Sequence, residues 1–190
     1  MTLRVSLPPE HEADPFAHLG EHYAPEILAA ATGFSTAVYR HSKLSTRECE
    51  AARMRTAQIN GCRLCLAFRA ARDLPGYFAT VGAEAGESVA NRGPAPDEAF
   101  YRNVADWRTC PDFTERERLA IEFAEKFGLD PQGLAADEDF WRRARAAFSD
   151  EELVDLTYSV ASWVGLGRAA HVLGLDGACT WMAEPVAAHA

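Results

Sequence analysis

Apolar residues recur along this chain at the three- and four-residue spacings of amphipathic helices, and no stretch shows the sustained alternation between hairpin turns that marks strands. From Pro25, the positions Leu28, Ala31, Phe34 and Val38 form one stripe, which predicts a helix over 25–39 with proline in its first turn and a weak point at Gly33. Ser45 and Glu48 make a capping box that starts a second helix to about Ile59, with Cys49, Ala52 and Met54 inward. Asn60-Gly61 ends it. A further helix is expected from Cys62 to Asp73, stopped by Leu74-Pro75-Gly76.

The next stretch, to residue 96, is so rich in glycine and proline that it predicts a short helix at most. Asp97 opens a segment with Phe100, Val104 and Trp107 on one stripe, and Thr114 with Glu117 caps another that carries Leu119, Ala120, Phe123 and Phe127. Asp137 opens a helix through Phe148. Ser149 with Glu152 opens the last, through about Trp163, which Gly165 and Gly167 interrupt before Arg168 to Leu173, and Gly174 closes it. The expectation is an all-α fold, with residues 1–24 as an arm with a mobile tip and 25–190 as a single helical domain.

Composition narrows the function. A net charge of −9, from 28 acidic against 19 basic residues, argues against non-specific nucleic-acid binding. Neither a leader-like apolar run nor a membrane-spanning stretch is evident, so a cytoplasmic protein with no membrane partner is expected. Five cysteines, an odd number in no dense framework, do not read as extracellular staples. Cys49, Cys110 and Cys179 have no sequence neighbour to pair with and read as packing residues.

Cys62 and Cys65 are different. They stand three positions apart at a helix start, on one face, where the helix N-terminus favours a thiolate and each sulfur can attack the other once oxidised. The competing readings are two small buried hydrophobes, or half a zinc site with no second C-x-x-C or H-x-x-x-H to complete it. A thioredoxin fold would need a strand before the motif, where residues 53–59 read as helix. No cofactor or metal is expected. Gly165-Leu166-Gly167 mimics part of a dinucleotide fingerprint without the preceding strand.

The run Leu44 to Ala52 and the motif Asn60-Gly61-Cys62-Arg63-Leu64-Cys65 together resemble the alkylhydroperoxidase D-like branch of the carboxymuconolactone decarboxylase family. Trp107, the segments 113–124 and 148–157, and the ending Gly165 to Leu175 carry the same resemblance. It implies an all-α homo-oligomer (dimer, trimer or hexamer) that reduces a peroxide or a partner disulfide with electrons from a protein or small-thiol reductant. By resemblance Cys65 attacks, Cys62 resolves, and Glu50, twelve residues before Cys62, belongs to a proton relay. The family's decarboxylase branch and a non-enzymatic redox-responsive oligomer are the alternatives.

The chain departs from the family at Arg69, where a relay histidine is expected, and at Leu64, where some members have another. A guanidinium keeps its proton. Arg69, one turn beyond Cys65 on a continuous helix, is instead expected to hold the Cys65 thiolate by its fixed charge, or to pair with Glu50 across two helices. His171 reads as a core or interface histidine and stays outside the expected site.

Overall fold

In a computed structural model of the chain, which describes residues 3–12, 14–84 and 86–177, the described residues form helices and turns with no strand. Cys179 and Trp181 lie outside them. In order come α1 (Pro15–His18), α2 (Pro25–His41), α3 (Thr46–Asn60), α4 (Arg63–Ala67), α5 (Ala70–Thr80), α6 (Glu98–Asn103), α7 (Glu115–Leu129), α8 (Pro131–Ala136), α9 (Glu138–Ala147) and α10 (Asp150–Leu173). Helix α3 is the centre: it packs along α7 on one side and α10 on another. Accordingly it is buried nearly all round, charged Glu50 and Arg53 included.

Helix starts follow the side chains that cap them. Ser45, Thr114 and Ser149 each accept the N–H of the residue three positions on, while Glu48, Glu117 and Glu152 reach back to the cap N–H. These glutamates also join helices. Arg47 at the start of α3 pairs with Glu117 of α7, and Arg116 of α7 pairs with both Glu48 of α3 and Glu152 of α10. The beginnings of α3, α7 and α10 therefore lie side by side. Below them Phe123, Phe140, Leu119, Leu156 and Val160 fill the main core.

Three expected breaks fall elsewhere. The chain runs helically through Leu74-Pro75-Gly76, because burying Leu74 and Phe78 outweighs the one hydrogen bond that Pro75 removes. It also runs unbroken through Gly165 and Gly167, since Leu156, Val160, Trp163 and Ala170 anchor α10 on both sides of them. Conversely, the single helix expected over 62–73 is two: Phe68 and Arg69 are extended and separate α4 from α5. Phe34, expected inside, is 39% exposed, because α2 meets the main core only at its far end, through Val38 and Tyr39.

Residues before Pro25 fold back on the molecule. Leu3, Val5, Leu7, Phe16 and Leu19 pack with Leu28, Ala170, Leu173 and Leu175, and the Arg4 N–H donates to the Leu173 carbonyl, covering the end of α10. Within the described residues no helix is long and apolar enough to cross a membrane.

Burial sets the ranking of substitutions in this scaffold. Phe123→Ala empties a fully buried site and is expected to cost about 3–5 kcal/mol, against about 1 kcal/mol for removing a cap with Ser45→Ala. Urea unfolding followed by helical circular dichroism measures both.

Candidate functional site

Cys62 and Cys65 are joined by a disulfide across the first turn of α4, with their Cα atoms 5.3 Å apart. Gly61 positions the pair. It ends α3 in the left-handed region at φ 66°, turning the chain so that Cys62 becomes the N-cap of α4. The Cys62 sulfur is fully buried and accepts the Cys65 N–H at 3.2 Å, whereas Cys65 is half-buried. An attacking group from solvent therefore meets Cys65 first.

Helix α10 is the wall behind the couple. Gly167 faces it so closely that a Cβ there would stand 2.6 Å from Asn60 Nδ2 and 3.5 Å from Cys65 Sγ. Asn60, the last residue of α3, donates to the Trp163 carbonyl at 2.9 Å and accepts from Arg168 Nε at 3.0 Å, which fixes the turn to that wall. One turn on, the His171 ring lies over Gly61.

Five residues do not make a stable helix alone. Helix α4 is held at its carbonyl end by three arginines. Arg53 donates to the carbonyls of Cys65 (2.6 Å) and Phe68 (2.8 Å), Arg69 to those of Leu66 (2.7 Å) and Phe68 (2.8 Å), and Arg72 to that of Ala67 (2.6 Å). These are the carbonyls a helix end leaves without partners, and positive charge there opposes the negative pole of the helix. Each guanidinium has its own carboxylate: Glu50 for Arg53, Glu98 for Arg69, Asp73 for Arg72.

Glu50 is thus an anchor beneath the disulfide turn. Its carboxylate, fully buried, takes Arg53 at 2.5 and 3.2 Å, the Tyr101 hydroxyl at 2.6 Å and the Ala70 N–H at 3.2 Å. Burial, and then the neighbouring Glu50 charge, push the Tyr101 hydroxyl well above its ordinary range, so it stays a donor. Burial works against the Arg53 charge, but Glu50 more than offsets it. The expected Arg69–Glu50 pair is not formed, because Arg53 on the same helix reaches Glu50 first.

Arg69 also departs from the expected geometry. Since the chain is extended at Phe68 and Arg69, its side chain is not one helical turn above Cys65. Its guanidinium lies 3.9 Å from the centre of the Tyr101 ring and bonds both oxygens of Glu98. The hydrogen bond from Arg69 and its charge hold the Glu98 carboxyl below the usual range.

At the other end of α4 stands a group that residue spacing left out. Asp176, in a short 3₁₀ turn after α10, accepts the Arg63 N–H at 3.0 Å and bonds His171 Nδ1 at 3.0 Å through the same oxygen. Burial raises the Asp176 carboxyl, yet the His171 and Arg63 hydrogen bonds prevail and hold it below its ordinary range. No periodicity signals this pair, because it forms between a helix end and a turn. The rings of His11, His18 and His22 cluster in the arm, but among the described residues no set of three or more His, Cys, Asp or Glu side chains is placed to hold a metal ion.

The all-α bundle has an alkylhydroperoxidase D-like fold. The solved structure of ATU0492 from Agrobacterium tumefaciens, a protein of unknown function offered as a candidate antioxidant defence protein AhpD, matches 80% of this chain and 93% of its own, with a TM-score of 0.56 and 24% identity. Curated relatives include the uncharacterized protein YnjA of Escherichia coli K12, 38% identical over 69 residues, which is 36% of each chain. The uncharacterized protein Rv2313c of Mycobacterium tuberculosis H37Rv is 28% identical over 140 residues, 74% of this chain and 42% of its own. The matches thus span well under half of these relatives' lengths. No family model matches the chain.

Removing one partner of the anchor exposes its cost. Glu50→Gln leaves a buried guanidinium uncompensated and is expected to lower stability by about 3–5 kcal/mol, while Tyr101→Phe removes one charged hydrogen bond at about 1.5–3 kcal/mol. Chemical denaturation of the two variants ranks them.

Proposed function

We propose that this chain is a thiol oxidoreductase that cycles Cys62 and Cys65 between dithiol and disulfide, reducing a hydroperoxide with electrons from a protein or small-thiol reductant. The observation that carries the reading is the disulfide itself, at a helix N-terminus, with its two sulfurs unequally buried. Cys65, the accessible one, attacks the terminal peroxide oxygen as a thiolate, the O–O bond breaks with release of an alcohol, and Cys65 becomes a sulfenic acid. Cys62 then displaces water from it to close the bond. Glu50 and Arg69 are positioning residues in this scheme: each acts on the couple by fixing the α4 backbone.

A second substrate class, a disulfide on a partner protein, is favoured by one observation. Arg69 stands where the resemblance expects a proton-relay histidine, and its charge is taken up by Glu98. Thiol–disulfide exchange makes less demand on such a relay than peroxide cleavage does. We further propose a cytoplasmic homo-oligomer, for which Phe34 on α2 and Val154 and Tyr158 on α10, all exposed, supply apolar surface beside one cleft. Sedimentation of the intact protein measures its mass against that of one chain.

Mass spectrometry of alkylated protein tests the central claim. After reduction, about one equivalent of hydroperoxide is expected to convert both thiols to the disulfide, Cys62→Ser to stop at a Cys65 sulfenic acid, and Cys65→Ser to lower the rate by at least about a hundredfold. Unchanged peroxide consumption by Cys65→Ser sinks the peroxidase reading. Partner-disulfide reduction that survives in the double serine variant sinks the exchange reading as well.

A further inference from the structure

We propose that His171, oriented by Asp176, is the proton carrier for Cys62 as the Cys62–Cys65 bond opens and closes; the inference rests on the redox reading above and names the group that completes it. Cys62 is fully buried, so opening the disulfide releases a thiolate where water cannot solvate it. The Cys65 N–H donates a hydrogen bond to that sulfur, and a proton donor beside it lowers the cost of opening further. The His171 ring lies against Gly61, the residue before Cys62, with Nε2 and Cε1 each 3.5 Å from where a Gly61 Cβ would stand. Its Nδ1 is held by Asp176, so Nε2 is the nitrogen left for chemistry.

The pair is fastened to the turn. Asp176 Oδ2 holds the ring and the Arg63 N–H together, so the histidine is fastened to the first residue of α4 as well as to α10. Oδ1 of Asp176 is buried with no partner among the described residues, a destabilising arrangement for a carboxylate placed only to pack. Its side chain is fully buried, while His171 is 29% exposed and can exchange protons with solvent. Among the described residues the ionisable group bonded to the ring is Asp176, whose carboxyl also feels the His171 and Arg63 charges. On α10 itself Arg168 turns away, to Asn60 and the Gly128 carbonyl, and the arm's Arg4 meets Leu173 through its backbone.

The step balances as a thiol–disulfide exchange. A reductant thiolate attacks Cys65 Sγ, forms a mixed disulfide with it, and breaks the Cys62–Cys65 bond, whose electron pair leaves on Cys62. The reductant sulfur is oxidised and Cys62 is reduced. His171, as imidazolium, gives its Nε2 proton to Cys62 and is reprotonated from solvent. A second reductant thiolate then frees Cys65. On closure the proton returns: neutral Nε2 takes it from Cys62 as that sulfur attacks oxidised Cys65.

The test is the rate at which dithiothreitol opens the oxidised full-length protein, divided at each pH by the concentration of dithiothreitol thiolate. Across a series from about pH 5 to about pH 9, the wild-type quotient is expected to fall as the acid form of the carrier is lost. His171→Gln is expected to be roughly tenfold or more slower at the acid end, with a flat profile, and Asp176→Asn to lose part of the limb. A purely structural histidine would move the melting temperature and leave the profile's shape. A sloping profile retained in His171→Gln overturns the proposal, and so does a flat wild-type profile, which needs no variant to fold. A disulfide that dithiothreitol fails to open at any pH removes the redox reading itself.

Discussion

The buried pair Glu50–Arg53 is the constraint on which the arrangement depends. Taking two charges into the centre of a helical bundle costs several kcal/mol each, and mutual attraction repays this only if the remaining donors and acceptors are satisfied. Here they are satisfied by the redox turn. Arg53 uses its spare N–H groups on the Cys65 and Phe68 carbonyls, and Glu50 accepts the Ala70 N–H beyond them. The pair and the turn therefore support one another: without α4 and α5 in place, the charges would be buried and underbonded, and without Arg53 the five-residue helix would lose the donors on the Cys65 and Phe68 carbonyls.

Electrostatics then runs in one direction along α4. Positive groups gather at its carbonyl end, and a carboxylate and the sulfur couple sit at its N–H end, each matched to the pole of the helix it faces. Unequal burial divides the sulfurs into one that meets solvent and one that is shielded. Helix α10 comes close to Cys65 by approaching through Gly167, where a side chain would displace Asn60. A glycine that reads in sequence as a helix breaker is here a helix face made thin enough for sulfur to pack on.

Much of the bundle was legible because capping is local chemistry. The boxes at Ser45, Thr114 and Ser149 act within four residues, so spacing alone located the starts of α3, α7 and α10, and the left-handed Gly61 and Gly174 located two ends. The C-x-x-C pair was legible for the same reason. The errors share the opposite cause. Pro75, Gly165 and Gly167 weaken a helix by local propensity, but burial of residues on either side, contributed by distant helices, decided against them. At Phe68 and Arg69 no breaker is present, and the helix stops because Arg53, twelve and fifteen residues back, takes the carbonyls of Cys65 and Phe68.

By itself, then, the amino-acid order determined the all-α class, most helix starts and the two sulfurs, since each is settled within one or two turns of chain. Only the tertiary structure decided what surrounds those sulfurs. Glu50 became an anchor when the fold set Tyr101 and the backbone of Ala70 on its carboxylate. Arg69 became a fastener once its link turned extended, and His171 came to lie over Gly61 because α10 and its following turn close there. Partners separated by tens to more than a hundred residues are chosen by packing, and packing has no signature in local spacing.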